Sequence, residues 1–179
     1  DQIAHVVDML RCAERPVMVW GSGIRLAGAV DLARQLAEYW QVPVLTTWGA
    51  KDMLPADHPL NVGTFGTHGT RAGNFAVQNA DFVLAIGSRL STHETGSPLK
   101  DWARCAKVAV VDIDAAELQK FKVFHRPVDS IIEADAGAVL AALLIKDVPT
   151  LGISLWQKMI RNWQKKLRNL YTLISKQIS

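Results

Sequence analysis

Cysteine is scarce in this 179-residue chain. Only Cys12 and Cys105 occur, too few for a disulfide framework and without metal-ligand spacing, a usage that suits the reducing cytoplasm. No apolar run approaches the ~20 residues needed to span a bilayer, so no membrane partner is expected. The five histidines (His5, His58, His68, His93 and His125) stand at no ligand spacing with Cys, Asp or Glu, and no metal site is expected. A G-x-S-x-G nucleophile elbow and a P-loop are both missing, which sets aside the commonest hydrolase and NTPase signatures. Internal repeats and low-complexity segments are absent too. There is no initiator Met, and a helical pattern begins at once over Ile3–Leu10, as expected of a piece cut from a longer polypeptide.

Acidic residues are missing from the C-terminal segment. Beyond Pro149 there are six Lys and Arg and no Asp or Glu, while residues 1–149 carry 14 basic against 17 acidic residues, a net of −3. The overall charge of +3 therefore comes from one terminal helix, and a nucleic-acid partner is not expected.

What the chain does have is a large core. Hydrophobic residues make up 49% and the mean hydropathy is +0.10, values of a globular chain. Short apolar runs alternate with amphipathic ones. Strands are predicted over Pro16–Gly21, Val42–Thr47, Asp81–Gly87, Lys107–Asp114 and Val128–Asp135. Helices are predicted over Ala27–Trp40 (with Val30, Leu32, Leu36 and Tyr39 or Trp40 inward), near Gly69–Asn79, over Ala115–Phe121 and over Ala136–Lys146. The segment with Pro55 and Pro59 reads as a loop leading to the second helix. Strands apolar on both faces, each followed by a helix, predict an α/β domain: a doubly wound, Rossmann-like parallel sheet covered on both sides. Residues 1–150 form that domain, and residues 151–179 an amphipathic basic helix with Leu155, Met159, Ile160, Trp163, Leu167, Leu170 and Ile174 on its apolar stripe.

In such sheets ligands bind beyond the carboxyl ends of the strands. Those ends read Gly21-Ser22-Gly23, Thr46-Thr47-Trp48-Gly49, Gly87-Ser88-Arg89, Asp112-Ile113-Asp114 and Glu133-Ala134-Asp135, joined by the Gly66–Thr70 turn at a helix start. Gly63, Gly66 and Gly69 keep the backbone thin there, which suits the close approach of an extended nucleotide. Arg89 could meet an anion, and Asp112 or Asp114 ribose hydroxyls; equally, Arg89 could form a surface ion pair and the aspartates cap strand ends. His68 is expected to donate to a loop carbonyl. The dinucleotide fingerprint is incomplete: Gly21-x-Gly23 is followed by Leu26 where the third glycine belongs, and the second strand ends in Thr46-Thr47 instead of an acid. An ordinary nicotinamide dehydrogenase is disfavoured, and plain strand-to-helix packing explains the same glycines.

As an ordered set, "RPVMVWGSG", "VPVLTTWGAKDMLPADHPLNVGTFGTHGT", "NADFVLAIGSRL" and "VVDIDAAEL" resemble the central domain of thiamine-diphosphate-dependent enzymes of the acetolactate synthase type. The resemblance implies a sheet of six strands set between two further domains, one binding the aminopyrimidine and one the Mg2+-diphosphate of thiamine diphosphate. It implies a cytoplasmic homo-oligomer in which a 2-oxo acid is decarboxylated and joined to a second carbonyl. The Gly-Asp-Gly of the diphosphate motif does not occur here, so no catalytic residue is assigned to this chain and the fragment alone is not expected to catalyse. Relatives of this type hold FAD, ADP or nothing in the central domain. By resemblance, Gly21, Ser22 and Gly23 approach a diphosphate or ribitol; Thr47, Trp48, His68 and Gly69 line the flavin side; Gly87 and Arg89 meet phosphate; and Asp112, Ile113, Asp135 and Ala136 meet adenosine. Two positions depart from the family pattern: Trp48 stands for its Met, and Arg89-Leu90-Ser91-Thr92-His93 for its Arg-Phe-Asp-Asp-Arg. The alternative expectation is a stand-alone FAD- or ADP-binding module that docks a partner protein through its basic helix.

Overall fold

The structure, a computed structural model, describes residues 2–123 and 128–177, with side chains described as far as residue 167. His125 lies outside the described residues, as do the side chains of Leu170 and Ile174. Six strands form one all-parallel sheet: β1 (Pro16–Trp20), β2 (Val44–Thr46), β3 (Asn61–Thr64), β4 (Phe82–Ile86), β5 (Lys107–Asp112) and β6 (Ser130–Glu133). Their order is β3-β2-β1-β4-β5-β6, so the chain direction across the sheet reverses between β1 and β4. β1 is central: Met18 is in register with Val44 on one side and Leu84 on the other.

Every residue of β1 and β4 is buried, as two covered faces require. Helices α1 (Gln2–Arg11), α3 (Val30–Trp40) and α7 (Ala136–Leu144) pack together, and a short α2 (Ser22–Leu26) follows β1. α4 (Arg71–Asn79), α5 (Thr92–Thr95) and α6 (Ala115–Val123) follow β3, β4 and β5. α4 packs on β3 and on the long α8 (Ser154–Gln177). Trp20, Trp40, Trp102 and Trp156 are the bulkiest side chains of the core, and burying a large apolar side chain such as Phe82 stabilises the fold by roughly 1.5–3 kcal/mol. Among the described residues no helix is long and apolar enough to cross a membrane.

Three readings from sequence need correction. The helix expected from Ala27 begins at Val30, because Gly28 takes φ +64° and breaks it from α2. Its buried face is Ala33, Leu36, Ala37 and Trp40, with Tyr39 half-exposed. The loop before α4 contains the edge strand β3, a four-residue strand in which Val62 is the one apolar side chain, too little for a periodic signal. On α8, Leu155 is 78% and Met159 43% exposed; the inward stripe is Ile153, Trp156, Ile160, Trp163 and Leu167, the 3-4-3-4 spacing one helix face requires. The Trp156 indole donates to the Pro16 carbonyl (3.0 Å), and its ring meets Trp163 edge-on at 5.7 Å. Gln157 and Gln164 add bonds to the Gln41 (2.7 Å), Asn61 (2.9 Å) and Val62 (3.2 Å) carbonyls. α8 is thus stitched to the β1–β2–β3 side of the sheet.

Candidate functional site

Where β1 and β4 end, their loops are tied backbone to backbone. The Gly21 amide donates to the Ile86 carbonyl (3.0 Å), the Gly23 amide to the Gly87 carbonyl (2.9 Å) and the Gly87 amide to the Val111 carbonyl (2.9 Å). A Cβ on Gly21 would lie 2.1 Å from the Gly87 oxygen, and one on Gly23 2.7 Å from the Gly87 Cα. Gly87 itself has φ +60°. These three glycines therefore let two loops touch at the switch point. The same holds in the turn before α4. A Cβ on Gly66 would lie 2.3 Å from the His93 carbonyl oxygen, and one on Gly69 2.4 Å from the Phe65 backbone. The thin backbone there accommodates neighbouring backbone, where the sequence suggested room for a ligand.

Above the β1–β4 contact lies an open crevice of about 420 Å³. It brings together Ser22, Gly23, Gly87, Arg89, Asp112, Ile113, Asp114, Asp135 and Ala136, nine of the residues singled out from sequence. Sequence reasoning assigned no place in it to Leu26, Ala27, Val111, Ala134 or Glu117. Leu26 carried a signal, since it interrupts the glycine fingerprint; it is 87% exposed at the crevice, and Ile113 is 72% exposed. Glu117 carried one as well, three residues after the Asp114 helix cap.

The carboxylates here serve the backbone. Asp112 accepts from the Asp114 amide (3.0 Å), Asp114 from the Ala116 amide (2.9 Å) as α6 begins, and Asp135 caps α7 by accepting from the Ala138 amide (3.1 Å). Arg89 donates through Nε to Glu117 Oε1 (3.1 Å) and through a second nitrogen to the same oxygen, while Lys120 reaches Glu117 Oε2 at 3.2 Å. Hydrogen bonds from Arg89 and then Lys120 hold the Glu117 carboxyl below the usual carboxylate range, and Glu117 raises the Arg89 guanidinium in turn. Arg89 is thus the crevice cation, already engaged by one carboxylate.

The remaining candidates fall elsewhere. Gly21 lies beneath the crevice, outside its lining. Thr47 is buried after β2, its amide bonded to the Trp20 carbonyl (2.9 Å). Trp48 is 67% exposed, and its ring packs against His68 with centroids 5.0 Å apart. The His68 side chain makes no hydrogen bond among the described residues, so the expected bond to a loop carbonyl is replaced by this ring contact. His68 and Gly69 line a larger groove next to β3. The Ser91-Thr92-His93-Glu94 run closes a capping box: the Ser91 amide donates to Glu94 (2.6 Å) at the start of α5. Among the described residues no group of three or more His, Cys, Asp or Glu is placed to hold a metal ion.

A six-stranded parallel sheet in this order, with a crevice at its switch point, defines a Rossmann-like α/β domain. The chain belongs to the family described as "Thiamine pyrophosphate enzyme, central domain", whose model matches residues 3–143. It is similar to the probable acetolactate synthase large subunit of Methanocaldococcus jannaschii, 39% identical over 152 residues, covering 83% of this chain and 26% of that protein. It is also similar to the acetolactate synthase large subunit of Lactococcus lactis (34% over 166 residues, 93% of this chain and 28% of the relative). The large subunit of isozyme 1 from Escherichia coli matches at 35% over 168 residues, with the same two coverages. The chain spans about a quarter of the length of these curated relatives.

Proposed function

We propose that this chain is the central domain of a thiamine-diphosphate-dependent enzyme of the acetolactate synthase type, and that its crevice takes the nucleotide end of FAD or ADP. Relatives of which this chain spans only about a quarter favour a domain of a larger enzyme over a stand-alone module. The parent is a cytoplasmic homo-oligomer that decarboxylates a 2-oxo acid and joins the product to a second carbonyl. Flanking domains would hold thiamine diphosphate with Mg2+, and the cofactor would supply the electron sink for the decarboxylation. The present chain contributes shape and a binding edge, with no acid or base in the reaction.

One observation carries the nucleotide reading. Two large aliphatic side chains, Leu26 and Ile113, stay exposed at the lips of a crevice floored by main chain from Gly23 and Gly87. A flat apolar ring between those lips, with phosphates over the glycines and near Arg89, suits their chemistry. A volume of about 420 Å³ suits the adenosine diphosphate portion shared by FAD and ADP. The Asp112 and Asp135 carboxylates lie where ribose hydroxyls would pass. A scaffold with no nucleotide is the second reading, favoured by the engagement of Arg89 with Glu117.

Titration calorimetry of the chain with ADP and with FAD separates the two. Saturable binding weakened on the order of tenfold or more by Arg89→Ala supports the nucleotide site, as for loss of a charged hydrogen bond. Heat from neither ligand leaves the scaffold reading.

A further inference from the structure

Outside the crevice, on the other side of β1, a groove of about 980 Å³ runs between the β2–β3 edge and α8. Four basic side chains line it: Lys51, Arg71 at the start of α4, and Arg161 and Lys165 on α8. Asp57 is the one carboxylate in that lining. Arg161 and Lys165 are four apart on a helix, so they share a face at some electrostatic cost. The Gln164 amide between them donates to the Asn61 (2.9 Å) and Val62 (3.2 Å) carbonyls, which fixes the α8 wall against β3.

Arg11, Arg15, Arg25, Arg34, Arg89 and Lys120 each have a carboxylate within 4 Å. Lys51, Arg161 and Lys165 have none among the described residues. Among the same residues, Lys100, Arg104, Lys107, Lys122, Lys158 and Lys166 also lack a carboxylate within 4 Å, and what sets this groove apart is that such cations share one concave lining. Residues 1–149 carry a net of −3, yet α8 brings its positive charge to the place where Lys51 and Arg71 already stand. A concave wall of one sign raises the local concentration of counter-ions, and more so for polyvalent ones.

We propose that this groove is a second ligand site, independent of the crevice, for a small molecule bearing a polyphosphate chain. Its volume is at the upper end for small-molecule sites, and cations from two opposing walls match a chain of phosphates better than a single anion. Recognition is of the phosphates, so a free polyphosphate and a nucleoside triphosphate share it.

Calorimetry of the full chain with inorganic tripolyphosphate, and with ATP, at low ionic strength tests this. Saturable binding of both is expected, weakened about tenfold or more by the Arg161→Glu/Lys165→Glu double variant and by raised salt. The matched control is Lys158→Glu/Lys166→Glu, the same change in net charge at exposed α8 positions outside the lining; it should alter affinity no more than about twofold. Circular dichroism and the melting midpoint verify that both variants fold. The proposal is overturned if tripolyphosphate gives no heat, if both double variants weaken binding equally, or if ATP binds while tripolyphosphate does not. Loss of tripolyphosphate binding through Arg89→Ala alone would move the site to the crevice and overturn it as well.

Discussion

Replacing Gly21 by alanine tests what the thin backbone at the switch point is for. The new Cβ would sit 2.1 Å from the Gly87 oxygen, 2.5 Å from the Gly87 carbonyl carbon and 2.5 Å from the Ser88 Cα. All three are main-chain atoms, so no rotamer change relieves the clash, and ordinary contact requires a shift of more than an ångström. That movement strains the Gly21–Ile86 and Gly23–Gly87 bonds joining the two central strands. Overpacking typically costs about 1–3 kcal/mol, and a purely main-chain clash belongs at or above the upper end. For a domain of this size, about 3 kcal/mol lowers the melting midpoint by roughly 6–12 °C. Gly152→Ala is the control: no atom lies within 4 Å of its added Cβ, and the loss of unfolded-state freedom predicts no change or a gain of up to ~1 kcal/mol. Thermal unfolding followed by circular dichroism reads both. A Gly21→Ala midpoint within about a degree of the parent would refute the view that these glycines serve backbone contact.

Two other perturbations follow from named contacts. Glu117 has a folded pKa depressed by Arg89 and Lys120, so its contribution to stability is present above the ordinary Glu value of about 4.3 and is lost as pH falls through the lower folded value. Glu117→Gln should therefore flatten the melting midpoint's dependence on pH on the acid side, and an unchanged acid limb would contradict this. Trp156→Ala removes the buried indole that anchors α8 to the Pro16 carbonyl, at a cost of about 3–5 kcal/mol, and should expose α8 to limited proteolysis before the sheet unfolds. Simultaneous loss of α8 and the sheet would show that α8 is no separable layer.

Much of the fold was legible because buried parallel strands declare themselves. Pro16–Trp20 and Phe82–Ile86 are uninterrupted apolar runs ending in glycine, and the helices between them repeat every three to four residues. β3 was not legible, since Asn61-Val62-Gly63-Thr64 is a short edge strand against β2 with a single apolar side chain. On α8 the apolar stripe expected from sequence included Leu155 and Met159, whereas contact with the sheet selects the face with Ile153, Trp156 and Ile160. Nine candidate residues converge in the crevice because they follow strands that are neighbours in the sheet, a consequence of topology alone. The partners of those residues were hidden. Glu117 meets Arg89 across 28 residues of sequence, and the glycines of two separate loops touch one another. Such pairings depend on the closeness of loops in space, which no local pattern encodes.

The proposed function requires this chain to be the middle of a larger thiamine-diphosphate enzyme. Acetolactate formation from pyruvate, measured on the intact parent protein and on the 179-residue chain with and without thiamine diphosphate and Mg2+, tests that most directly. The account predicts cofactor-dependent product from the parent and none from the chain alone; an inactive parent whose coding region holds no flanking thiamine-binding domains, or turnover by the isolated chain, would contradict it.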